Sequence, residues 1–303
     1  GTVTFLTPWT ALTGTLQVTS TQGSVTFVHD VSTATASAMY VSAFNVLTIG
    51  TNKKVHSGGN LTVVAASTRT STASLLCPDG ALRLVGPWTA TEGNITIRAK
   101  VASLDCGLKT ETRGNINIAV SGAAEVVSIT TWKSAGRLDA SATSFKSKAM
   151  TVIADGTLVV DGTWVAVGGS LSIQGGKDVW LPNNLETSSS GDVTVTSGTS
   201  LNVLGSEIKA AGALTISGDS VSSKSLTASC TGTMTLTGAW NVSYGAVTFD
   251  SGDTITVNDN FQSWYGGISF SAVASMTVGD GSSPTFIKSG ATLNIQAASI
   301  KSK

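Results

Sequence analysis

The sequence predicts an all-β protein: a right-handed parallel β-helix, or β-solenoid, of four superrepeats of about 76 residues with about four coils each. Three observations predict it. A glycine-led strand motif returns at a long, nearly fixed interval. Within each interval the strands are short and alternate polar with apolar residues. The strongest similarity lies about 20 residues apart rather than between adjacent strands.

The long interval is marked by Gly-x-[Leu/Val/Met]-x-[Val/Leu/Phe]-x-x-x-Trp. It reads GTVTFLTPW from Gly1, GALRLVGPW from Gly80, GTLVVDGTW from Gly156 and GTMTLTGAW from Gly232, at nearly equal spacings. Five residues beyond each tryptophan a further glycine (Gly14, Gly93, Gly169, Gly245) opens another strand. A second marker precedes the boundaries: SFKSKAM from Ser144, SVSSKSL from Ser220 and SIKSK from Ser299. Two markers in register define units 1–79, 80–155, 156–231 and 232–303 of one solenoid spanning 1–303. Because residue 1 opens a marker strand and Lys303 falls just short of a fifth unit, the chain is expected to be a segment of a longer array.

The short strands carry the argument for coiling. In the third unit, glycine-led strands start at Gly156, Gly169, Gly191 and Gly212, and Gly232 opens the next unit. In GDVTVTSGTSLNVLGSEIKAA, from Gly191, Val193 and Val195 point inward, as do Leu201 and Val203 after a turn. No helical periodicity runs anywhere in the chain. A strand with two inward apolar residues cannot bury them alone and needs copies above and below. Antiparallel hairpins would favour two-residue Asn-Gly or Asp-Gly turns between neighbours, which are not the pattern here. Parallel crossovers are right-handed. Four coils per unit predict roughly 15 to 16 coils at about 4.8 Å each. Three larger coils of about 25 residues per unit fit the spacing as an alternative.

Composition narrows the function. Charged residues are 12% of the chain, against about 25% in an average soluble domain, and the net charge is zero. No basic stripe serves a nucleic acid. No apolar run approaches the ~18 residues that cross a bilayer as a helix, so membrane insertion is not expected. The 41% hydrophobic share is enough for a core. The chain lacks a signal-like opening and does not start with Met, which reads as a mature or excised segment. Three cysteines, Cys77, Cys106 and Cys230, make no disulfide framework and no metal-ligand spacing.

The GALTISG and GDVTVTSG strands resemble the repeats of filamentous-haemagglutinin-like adhesins and related secreted β-helix exoproteins. That resemblance implies a β-helical shaft exported to the cell surface.

Candidate contact residues follow from the repeat. Trp9, Trp88, Trp164 and Trp240 recur with the unit and are expected to form one column, either stacking on a glycan or filling a narrow part of the coil. Phe261, Trp264 and Tyr265 are a candidate exposed aromatic patch. Lys148, Lys224 and Lys303, with Lys146 and Lys301, are expected along one edge, to meet a partner or to keep that edge from sticking. Carboxylates are scattered and sit mostly at turns; Asp250, Asp253, Asp259 and Asp280 are the densest group. His29 and His56 form no triad with Cys77. Neither catalysis nor a cofactor is therefore expected. The reading is an extracellular structural rod that associates with itself in a surface fibre, appendage or filament. The first alternative is an adhesin shaft or glycan-binding module. The second is an ice-binding protein, for which outward Thr194, Thr215 and Thr235 would form part of an interrupted threonine array.

Overall fold

The computed structural model describes residues 1–281 and 284–302. Among them every regular element is a β-strand, and the strands pair in parallel as a right-handed β-solenoid of about 14 turns. Two compact units divide the chain: Gly1–Lys146 with Ile153–Gly156, and Ser147–Val152 with Thr157–Lys303.

In the first unit one turn consists of three short strands. Val3–Phe5, Trp9–Ala11 and Leu16–Ser20 each occupy one face, and Val25–Phe27 then stacks on Val3–Phe5. Alternation fixes which side chains enter the interior, because successive residues of a strand point to opposite sides. The inward positions repeat from turn to turn. Val41, Val63, Leu84, Leu104 and Val126 form one such row, each directly paired with the next and nearly fully buried. A second row runs Ile97, Ile118 and Ala140.

The second unit follows the same rule. Val193–Ser197, Ser200–Val203 and Ser206–Ala210 make one three-stranded turn, and Leu214–Ser223 begins the next, stacked on Val193–Ser197. Its interior becomes aromatic toward the last turns. Phe249 and Phe270 stack with ring centroids 5.2 Å apart, and Trp240 stacks on Phe261 at 5.1 Å. Parallel stacking places like residues in direct contact, so flat rings repeat face to face.

Corners need a different solution, since the backbone there leaves the ladder. Inward serines and threonines at the strand ends supply it. Ser134 Oγ donates to the carbonyls of Gly114 and Arg137, Ser197 Oγ to those of Lys177 and Ser200, and Ser251 Oγ to Gly232 and Thr254. Buried carbonyls of the turns are thereby satisfied. Asparagines serve the outer side of the corner. Asn94 Oδ1 accepts from the Asn115 N–H, and Asn115 Oδ1 from the Arg137 N–H, 21 and 22 residues further on. At another corner, Gly238 adopts φ 102°, and a Cβ there would collide with the Gly218 carbonyl of the turn before.

The length of the turn, about 21 residues, refines the coil count and corrects the expected tryptophan column. In the second unit the row holding Trp164 continues through Leu185, Ile208, Ala228 and Phe249. Trp240 falls between Ala228 and Phe249 in sequence, and it sits in a different row, with Leu201, Val221 and Phe261. The interval from Trp164 to Trp240 thus spans three full turns and about two thirds of a fourth. The first unit behaves alike. Trp9 shares a row with Val31, Val55, Leu75 and Ile97, whereas Trp88 shares one with Thr68, Leu108 and Trp132. The marker tryptophans are not a single column.

Candidate functional surfaces

Burial sorts the candidate aromatic residues. Trp88 and Trp164 are completely buried and Trp240 is 2% exposed, so all three fill the interior and cannot stack on a ligand. Phe261 is likewise interior. Trp9 is exposed and packs edge-on against Phe5. The remaining two candidates, Trp264 and Tyr265, are exposed at a corner of the second unit. They have a companion outside the sequence-derived set, Tyr244. It precedes Tyr265 by one turn of the coil, and the two rings stack 5.4 Å apart at 12°. That one-turn spacing is the signal for it in the sequence. The stack covers one face of each tyrosine, and both residues remain largely exposed. The Trp264 indole N–H is held by Asn241 Oδ1 at 2.8 Å.

The lysines do not share an edge. Lys148 follows Ser147 at the corner closing the Trp164 face, where its carbonyl accepts from Gly168 N–H. Lys224 follows Ser223 at the corner closing the Trp240 face. Both are exposed. The same fractional turn that separates the tryptophans separates these lysines. Lys303 lies outside the described residues.

Ionisable groups are dispersed over the outer faces. On the Trp164 face, Glu186, Lys209 and Asp250 border a shallow open depression of about 520 Å³. There Lys209 Nζ meets Glu207 at 2.8 Å, and that contact raises the lysine's pKa. His56 pairs with Leu76, next to Cys77, but faces outward while the Cys77 thiol is buried inside, so no triad forms. No three His, Cys, Asp or Glu side chains converge on a metal-sized site among the described residues. All three cysteines are buried. Burial pushes the Cys77 thiol up to about 11, and it also raises Cys106 and Cys230. Such thiols hold their protons at neutral pH and are poor nucleophiles.

One outer surface is regular. In the second unit, the face built from Val193–Ser197 and its stacked neighbours carries Ser172, Thr194, Thr215, Thr235, Thr256 and Thr277 on six successive turns. Each is paired directly with the next. Two residues along each strand a second column runs Gln174, Thr196, Ser217 and Thr237. Thr254 and Ser275 add a third, their hydroxyl oxygens 3.4 Å apart. Over the six turns from Ser172 to Thr277 the middle column is uninterrupted, and on the next turn Lys301, paired with Thr277, interrupts it as expected. Sequence alternation reveals outward threonines; it does not reveal that the turn length brings them into register.

The chain matches no protein-family model, no curated protein and no solved structure.

Proposed function

We propose that this chain is a structural segment of an extracellular fibre or appendage, in which coil stacks on coil and neighbouring copies associate. The observation that carries this reading is the set of uninterrupted inward rows, such as Val41, Val63, Leu84, Leu104 and Val126, in which each turn completes the burial of the one beside it. A scaffold of this type grows by adding turns without any new tertiary contact. The fractional turn per sequence unit supports the same reading. Repeated features such as Lys148 and Lys224 point to different sides, which suits contacts with neighbours around a fibre better than one lengthwise binding strip. The GALTISG-type strands, similar to those of secreted β-helix exoproteins, support export.

The test is sedimentation of the purified chain over a concentration series, with negative-stain microscopy of the same samples. Concentration-dependent assemblies are expected; a strictly monomeric species at every concentration would refute the proposal. Immunolabelling of intact source cells tests surface exposure.

A second reading, glycan binding, is favoured by the exposed Trp264 beside Asn241 and Gln262. An aromatic face next to amide groups suits a sugar ring. Glycan-array signal that disappears in Trp264→Ala would support it; a silent array would remove it.

A further inference from the structure

We propose that the threonine-bearing face of the second unit is a binding surface for ice. This inference is independent of the fibre reading, because it concerns one outer face and not self-association. The argument starts from the lattice. Hydroxyl side chains recur across the coil stack at the inter-strand distance of about 4.8 Å, and along each strand at two residues, about 6.7 Å. Both repeats lie close to oxygen–oxygen repeats on the surfaces of hexagonal ice. The middle column is Ser172, Thr194, Thr215, Thr235, Thr256 and Thr277, and Thr196, Ser217 and Thr237 run beside it.

Regularity requires rigid side chains, and these are rigid. Threonine is β-branched and its χ1 is restricted. Beneath it, Val195, Ile216, Leu236 and Val257 are completely buried, so the strands that carry the array are anchored to a packed interior. Asn258 Nδ2 also donates to Thr237 Oγ1 at 3.2 Å, tying one turn to the next.

The chemistry of this face differs from that of the other two in the same unit. The Trp164 face carries Glu186, Lys209 and Asp250 outward, and the Trp240 face carries Trp180 and Lys288. From Ser172 to Thr277 the middle column, and the Gln174 to Thr237 column beside it, contain no charged and no aromatic side chain; Asp192 lies at the corner before Thr194, and Lys301 pairs with Thr277 on the turn beyond. A charge imposes its own hydration geometry and would break an ice-like water layer. A methyl and a hydroxyl in fixed alternation order water without doing so. The lack of outward aromatic rings separates this face from a polysaccharide-binding platform, which gains its affinity from ring stacking on sugars.

The experiment is growth of a seeded ice crystal in a solution of the full chain, with the gap between melting and growth temperatures measured. Fluorescently labelled protein is followed into the ice front in parallel. The intact chain is expected to open a gap, facet the crystal and enter the ice. Thr235→Lys and Thr256→Lys, in the middle column on two different turns, should each lose most of the gap. Thr248→Lys, outward on the Trp164 face, should keep it. Circular dichroism and thermal unfolding identify the folded variants, and the two substitutions provide separate chances of a folded one. An intact chain with no gap and no entry into ice overturns the proposal. Equal activity in the three variants overturns it too, as does adsorption to crystalline cellulose or chitin without any effect on ice.

Discussion

Two outward columns, one in each unit, occupy the same kind of position and differ in what they carry. In the first unit the column on the Val3–Phe5 face reads Thr4, Thr26, Thr48, Arg69, Thr89, Lys109 and Lys133. In the second it reads Ser172, Thr194, Thr215, Thr235, Thr256 and Thr277. Inward, the two faces obey one rule, since Val25, Leu47, Trp88 and Leu108 are as buried as Val193, Leu214, Met234 and Ile255. The solenoid tolerates threonine or a cation outside equally well. Folding therefore constrains the inner residue of each pair and leaves the outer one to other demands. Three cations break the hydroxyl ladder within the first unit, whereas in the second it runs unbroken over six turns and meets its one cation, Lys301, only beyond Thr277.

The largest expected effects test the shared interior. Leu236→Ala, beneath the threonine face, and Leu108→Ala, beside Lys109, should each cost about 2–5 kcal/mol in denaturant unfolding. If only one of them is costly, the two faces do not obey one packing rule. A second, smaller contrast lies between two interior tryptophans. Trp164 Nε1 donates to Ser147 Oγ at 3.0 Å, whereas Trp88 Nε1 is buried without a hydrogen-bond partner among the described residues. Replacing each by Phe should therefore cost about 1 kcal/mol more at Trp164, where a buried hydroxyl loses its donor.

The interior also sets a pH limit. The folded Cys77 thiol keeps its proton up to about 11, while an ordinary thiol releases it near 9.0. Stability should be unaffected by this group below pH 9 and fall as pH rises toward 11, because the unfolded chain then loses the proton first. Thermal unfolding from pH 7 to 10.5, for the chain and for Cys77→Ala, measures this; an identical decline in both would exclude the thiol.

The smallest change in stability should accompany the most informative exchange of outer residues. Arg69→Thr, Lys109→Thr and Lys133→Thr together mend the ladder of the first unit and should each shift stability by no more than about 0.5 kcal/mol. The combined variant should widen the gap in ice-growth temperature beyond that of the unchanged chain. A mended ladder without gain would show that register and chemistry alone do not make the surface.

Much of the fold is readable in the sequence. Alternation alone assigns Val193, Val195, Leu201 and Val203 inward, and all are buried. Of the aromatic patch expected from Phe261, Trp264 and Tyr265, the last two are exposed and Phe261 is buried, as is Trp132, which also lies outside the repeat. Linear spacing misplaces the features that recur most regularly. Trp88, Trp164 and Trp240 recur because they fill the interior, and neither they nor the lysines align. Spacing converts to direction only through the number of residues per turn. That number is set by how tightly each corner closes, through contacts such as Ser134 with Gly114 and Asn115 with Arg137 that link residues a turn apart.

By itself the sequence determined that parallel strands coil, which side of each strand faces inward, and that a long tryptophan-marked unit repeats, because alternation and recurrence are one-dimensional properties. Only the tertiary structure decided which outer residues become neighbours. The columns stay in register although the turns differ in length, from 20 residues between Thr215 and Thr235 to 22 between Ser172 and Thr194, so their register rests on corners that absorb the difference and close the coil.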